Sequence, residues 1–127
     1  MKNPPQTYPD AVDFMSKNVD IAVVITSAEI PFLVENVNDA WTKLCGYNEH
    51  EVIGRSFRLL QGAKTDAAAT EHLCQSAKNR TSAETVVYNY RKDGSLFRNY
   101  IQIFPLKDPS SSTISHYMGI LQEIPEA

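Results

Sequence analysis

Residues 81–106, TSAETVVYNYRKDGSLFRNYIQIFPL, decide the fold. Val86, Tyr88 and Tyr90 alternate with Val87 and Asn89, the period of two that a half-buried strand requires. KDGS (92–95) is a turn of the Asp-Gly type, and LFRNYIQIFPL (96–106) is the antiparallel partner such a turn returns. The stretch is therefore one long hairpin.

Outward from the hairpin, each element follows from spacing and capping. KDPSSST (107–113) is a polar loop and ISHYMGILQEI (114–124) is a last strand. Upstream, an alanine-rich helix runs from about Asp66 to Lys78, with Leu73 and Ala77 on one side. NEHEVIG (48–54) reads as a single helical turn. Before it, Asn38 or Asp39 caps a short helix whose apolar positions are Ala40, Trp41, Leu44 and Cys45, and Gly46 stops it. IAVVIT (21–26) and FLVEN (32–36) are strands joined by the turn SAEIP. YPDAVDFMSKN (8–18) carries Ala11, Val12, Phe14 and Met15, enough for a short amphipathic helix or turn that covers a face of the core or pairs two subunits.

The core order is β-β-α-α-α-β-β-β, an α+β layout. Five strands form one antiparallel sheet, and the short helices packed on one face enclose either a core or a pocket. The expected division is a flanking segment (1–18), the domain proper (19–124) and a C-terminal tail (125–127).

Composition narrows the possible functions. The 127 residues carry a formal charge of only -3, with Lys and Arg scattered, so no basic stripe exists to hold a nucleic acid. No apolar run approaches a membrane span of roughly 18 residues, and the polar start MKNPPQTYPD lacks the apolar stretch of a signal peptide. An intracellular, soluble protein is expected. Cys45, Cys74, His50, His72 and His116 show no metal-ligand spacing, and the two cysteines read as buried, reduced thiols. Asn79-Arg80-Thr81 fits a glycosylation sequon without an export signal to use it. Glu49, His50 and Glu51 are consecutive and do not face one another on a helix, so they form no acid–base pair and no enzyme is expected.

VNDAWTKLCGY, EVIGR, NYRKDGSLFRN and HYMGI, in this order, resemble the PAS superfamily; GRSFRLLQG (54–62) and the N-Y-R-K-D-G-x-x-F-x-N spacing resemble its LOV (light-oxygen-voltage) branch. The resemblance covers roughly residues 19–124. It implies a PAS/LOV fold and a flavin, most naturally FMN, with FAD or riboflavin as alternatives. Asn89 and Asn99 match the asparagines that bond the flavin's polar edge, and an amide offers both a donor and an acceptor for that purpose. Asparagine is depleted in strands, so two on one inward face themselves favour a polar ligand. Arg58 and Gln61 match the phosphate and ribityl contacts. Thr26, Leu60, Leu73 and Ile101, with Val24, Thr70 and Ile103, match positions around the ring and its tail. A glutamate near Glu51 pairs with a lysine near Lys92 in such domains.

The departures weigh as much as the matches. Phe57 stands where the photoreactive cysteine is expected, and a benzyl group supplies no thiolate, so the covalent photocycle is excluded. Ser56 replaces a ribityl-binding asparagine, and Cys74 falls where a second phosphate arginine is common. Leu121 falls at the flipping glutamine, with Gln122 one residue on and so on the opposite face. Two expectations follow. One is a sensory domain that binds flavin noncovalently and signals through its redox state. The other is a PAS interaction module with no ligand, its cavity closed by Phe57 and Leu121, acting as a homodimer or on an effector domain through an outer sheet face bearing Tyr88, Tyr90, Tyr100 and Gln102.

Overall fold

The computed structural model describes residues 1–126, and within them one antiparallel sheet positions everything else. The elements are α1 (Tyr8–Lys17), β1 (Ala22–Ser27), β2 (Val34–Val37), α2 (Asp39–Cys45), α3 (Glu49–Val52), a 3₁₀ turn (Phe57–Leu60), α4 (Ala67–Lys78), β3 (Ala83–Tyr90), β4 (Leu96–Lys107) and β5 (Ile114–Glu123). Across the sheet the strands run β2-β1-β5-β4-β3, so the first and last strands of the domain meet at its centre. The expected α+β sheet with helices on one face is what forms.

The hairpin pairs in the register its turn dictates. Val87 faces Asn99 and Asn89 faces Phe97, with Gly94 at a φ of 86° in the connection. Strand alternation then sends Val87, Asn89 and Asn99 inward. Tyr90 departs from the expected alternation. Its hydroxyl accepts from the Lys64 amide and its ring packs on Gly62, where a side chain would collide with it. Tyr90 is thus committed to the loop beside the β3 edge and is not available as an outer-face residue.

Strand β2 begins at Val34, two residues later than expected. Phe32 has a φ of 60°, so the chain is still turning there. Helix α2 is fixed by Asn38, whose side chain accepts from the amides of Trp41 and Val23 and donates to the Ile21 carbonyl. One amide both caps the helix and ties it to β1. Gly46, at a φ of 85°, ends it as expected. Trp41, Phe97, Val24, Leu60 and Leu121 form the inner core with Cys45. Truncating a fully buried aromatic such as Phe97 to alanine typically costs about 3–5 kcal/mol.

The two remaining faces are treated differently. Helix α1 lies on the outer sheet face, where Ala11 and Met15 pack with Val23, Ile25, Leu106, Met118 and Ile120. It therefore covers the sheet. On the inner side α4 buries only Ala77, so it roofs the sheet without filling the space beneath. Glu51 pairs with Lys92 and accepts from the Asn48 amide, which holds α3 against the hairpin turn. The expected tail (125–127) lies in part beyond the described residues; Pro125 and Glu126 accept from Arg98 and Tyr88 on the outer face.

Candidate functional site

Between the sheet and α4 lies a cavity of about 210 Å3. Its walls bring together most of the residues singled out above: Thr26, Phe57, Arg58, Leu60, Gln61, Leu73, Asn89, Ile101 and Leu121. Thr70 and Ile103 join them, while Val24 does not line it. Phe57 and Leu121 form part of the wall without closing the space, so the expected closure by these two side chains does not occur. The volume is below the roughly 300–1,000 Å3 usual for small-molecule sites. A ligand larger than the cavity needs the Phe57 and α4 side to yield.

Asn99 sits one layer behind the wall. It is fully buried, its Nδ2 donates to Asn89 Oδ1 at 2.9 Å, and Asn89 Nδ2 donates to the Leu60 carbonyl at 3.1 Å. Asn99 Oδ1 has no hydrogen-bond partner among the described residues. A buried unpaired acceptor costs about 1–3 kcal/mol, so this oxygen marks a polar position that the chain itself leaves unsatisfied.

The 3₁₀ turn carries the residues at the rim. Ser56 caps it, accepting from the Arg58 amide, and Leu60 anchors it in the core. Arg58 and Gln61 consequently stand exposed at the cavity mouth. Among the described residues no ion pair occupies Arg58. A free guanidinium beside an apolar cleft suits an anionic group.

The two cysteines separate. Burial pushes the Cys45 thiol up to about 12, against a smaller lowering by Arg91, so it stays protonated and unreactive. Cys74 is half-buried and lines the cavity, which corrects the expectation that both thiols are buried. It lies on the third turn of α4, where helix periodicity turns Thr70, Leu73, Cys74 and Ala77 to one side.

Sequence reasoning missed Phe32, Val87, Tyr117 and Gly119, all on the wall. Phe32 was hidden in a presumed strand start. Tyr117, Gly119 and Leu121 share a strand face, so the parity that placed Leu121 could have found the other two. Gly119 is required by close approach: a Cβ there would lie 2.9 Å from Val24 Cγ1. Tyr117 donates its hydroxyl to the Ala77 carbonyl and so ties α4 to β5.

A five-stranded antiparallel sheet folded around an inner-face cavity, with short helices as its cover, is the PAS fold. The PAS domain family profile matches residues 22–126, and the chain belongs to that family. Its structural neighbours are LOV domains. A light-oxygen-voltage domain studied with a flavin analogue superposes with a TM-score of 0.83 at 29% identity, over 91% of this chain and 84% of that one. The LOV domain of the Erythrobacter litoralis EL346 blue-light activated histidine kinase gives a TM-score of 0.77 at 32% identity, over 84% and 97%. In sequence, blue-light-activated histidine kinase 2 of Erythrobacter litoralis is 39% identical over 84 residues, 66% of this chain and 24% of that protein. The chain spans about a quarter or less of the length of the curated relatives it matches. It is thus homologous to the sensory domains of blue-light proteins. No described helix is long and apolar enough to cross a membrane.

Proposed function

We propose that this domain binds a flavin noncovalently, with FMN preferred, and acts as a sensory element without forming a covalent adduct. The observation that carries the reading is the buried Asn89–Asn99 pair, with Asn89 on the cavity wall and Asn99, whose Oδ1 lacks a partner, directly behind it. The residues present fit such a group: an apolar slot for a flat ring, the Asn89 amide on the wall backed by Asn99 for its hydrogen-bonding edge, and Arg58 with Gln61 at the rim for a polar, anionic tail. FAD and riboflavin fit less well, the first by size and the second because it leaves Arg58 unused.

A bound flavin supplies a ring whose charge and hydrogen bonding change with its redox state. The chain's own residues do the rest. Asn89 presents its amide to the ring edge and Asn99, behind it, orients that amide; Leu60, Ile101 and Leu121 exclude water, and Phe57 packs against the site with no nucleophilic atom. A change of charge at the asparagine pair biases the hairpin that carries it. The output partner, on this reading, is a second copy or an effector domain meeting the outer face at Tyr88, Tyr100 and Gln102. The domain itself performs no catalysis.

The small cavity favours a second reading, an interaction module that takes no ligand. One experiment separates the two: visible absorbance of the purified protein, before and after FMN, FAD and riboflavin are added and removed by desalting. A structured blue-absorbing flavin band retained with FMN supports the first reading. Absence of uptake with all three sinks it and leaves the interaction module.

A further inference from the structure

The sheet has two edges, and the chain treats them differently. β2 is four residues long and its outer edge is closed: the Val34 amide donates to the Arg55 carbonyl, and the Val34 carbonyl accepts from the Gly54 amide. β3 is eight residues long, contains no proline and pairs with β4 without irregularity. Two hydrogen bonds show which of its groups face outward. The Arg91 amide donates to the Ser95 carbonyl, so Arg91 faces β4, and alternation turns Asn89, Val87, Thr85 and Ala83 the same way. The Tyr88 carbonyl accepts from Thr65 Oγ1 outside the sheet, so Tyr88, Val86 and Glu84 face the open side. Among the described residues nothing bonds the outward amides and carbonyls of Glu84 and Val86, and both residues are exposed. An open edge of this kind is a template for another strand.

We propose that the β3 edge is an interface with a second copy of this chain, the two β3 strands pairing antiparallel about a two-fold axis at Thr85. With β2 closed, no other strand of a second copy has a free edge to offer, so copies meet β3 to β3. Such a contact is isologous and closes after two subunits. It is distinct from the outer face of the sheet and needs no ligand.

The centre of the pairing follows by elimination. A centre at Glu84 sets two carboxylates directly opposite each other, which is repulsive. A centre at Val86 requires the Tyr88 carbonyl, which Thr65 already holds, and drives the partner strand into the loop beside it. A centre at Thr85 pairs Glu84 with Val86 in both directions and uses the four amides that stand free, two from each copy. It places Thr85 opposite itself, one of the favourable cross-strand pairs, and covers the exposed Val86 with the stem of Glu84. The Glu84 carboxylate accepts from the Tyr100 hydroxyl at 2.6 Å, so it is already turned back over β4 and out of the contact. Near the start of β3 the roof helix α4 leans inboard, since Ala77 packs with Ile103 and Tyr117. Four backbone hydrogen bonds make a small interface, so the association is weak and visible at high concentration.

Sedimentation of the natural protein at concentrations up to about 1 mM tests the association, and Val86→Pro tests the edge. The Val86 amide makes no bond within the chain, and proline is tolerated on an edge strand where its missing N–H faces solvent. The substitution therefore spares the ladder to β4 and deletes two of the four hydrogen bonds in each dimer, which is expected to weaken dimerisation about thirty-fold. A natural protein that stays monomeric at about 1 mM overturns the proposal and leaves the edge to a strand from another protein; so does a folded Val86→Pro that dimerises as the natural protein does. Should Val86→Pro fail to fold, cross-linking decides. In a Cys74→Ser background, Thr85→Cys is expected to join two copies through a disulfide at least about ten-fold faster than Val86→Cys, because position 86 lies diagonal to its copy, beyond the roughly 7 Å a disulfide spans. Val86 is the more exposed of the two, so random collision gives the opposite order, and that order overturns the register and the proposal with it.

Discussion

Asn99→Leu separates what the polar pair does for the fold from what it does for a ligand. Leucine has the same branched skeleton as asparagine, so volume changes little and the consequences are electrostatic. The natural protein buries one unpaired acceptor, Asn99 Oδ1, and one hydrogen bond, from Asn99 Nδ2 to Asn89 Oδ1. The variant loses that hydrogen bond, worth about 1 kcal/mol net, and exchanges one unpaired oxygen for another, now Asn89 Oδ1. It also gains apolar burial at a fully buried site, a term of about the same size and opposite sign. The expected change in stability without added flavin is therefore within about 1 kcal/mol of zero. For flavin the same change removes the amide that holds Asn89 at the ring edge and leaves its buried oxygen unpaired, about 1–3 kcal/mol, so affinity falls roughly five-fold to a hundred-fold. Urea unfolding followed by the fluorescence of the single tryptophan, Trp41, gives the first quantity, because that side chain is fully buried in the core cluster that includes Leu60 and Leu121. Flavin titration gives the second. A loss of more than about 3 kcal/mol without flavin would mean that Asn99 is a structural keystone and that its free oxygen is no sign of a ligand. Unaltered flavin binding would remove the asparagine pair from the site.

Three further outcomes are expected. Arg58→Ala should weaken FMN by about 1.5–3 kcal/mol, ten-fold or more, and leave riboflavin nearly unchanged, as isothermal titration with the two ligands would show; equal loss for both would detach Arg58 from the phosphate. A thiol-alkylating reagent followed by peptide mass analysis should label Cys74 and spare Cys45, whose thiol burial pushes up to about 12, and FMN should protect Cys74; labelling of Cys45 in the folded protein would contradict its burial. The Lys92 hydrogen bond, then the Asn48 amide, hold the Glu51 carboxyl below its ordinary 4.5, so its contribution is present above that value and fades as pH falls through the lower folded one. Stability measured from pH 6 to pH 3 should thus decline less steeply in Glu51→Gln, and an identical decline would show that the pair carries no pH-dependent stability.

The fold was legible because its signals were local. Alternation in 83–90 and 96–107, an Asp-Gly turn, an asparagine cap and a glycine stop are each written within a few residues, and the sheet follows once the hairpin is fixed. Tyr90 was misplaced because its position is set by Gly62 and the Lys64 amide, nearly thirty residues away, and these override strand alternation at the sheet edge. Phe32 was misplaced because a left-handed φ at a phenylalanine has no sequence signal; glycine or asparagine would have announced it. At the site, residue identities came through the resemblance, but three-dimensional facts did not. That Asn99 stands behind Asn89, that its oxygen lacks a partner, and that Cys74 reaches the cavity all depend on how α4 and the 3₁₀ turn settle over the sheet.

The register of β5 constrains how any event in the cavity reaches the surface. Ile101 faces Leu121 and Tyr100 faces Gln122 with no irregularity between them, so Leu121 remains on the inner wall and Gln122 on the outer face. The central strand therefore offers the cavity no amide through which to change its bonding. The polar connections that do leave the wall run sideways. Asn89 holds the Leu60 carbonyl, which fixes the turn bearing Phe57 and Arg58; beyond it Thr65 donates to the Tyr88 carbonyl and Lys64 to the Tyr90 hydroxyl along the β3 edge. Tyr88 in turn reaches Glu126 on the outer face. A ligand that draws Asn89 away from Leu60 must move this turn and load the β3 edge, so in this chain the hydrogen-bonded path outward lies along the edge strand and not through the middle of the sheet.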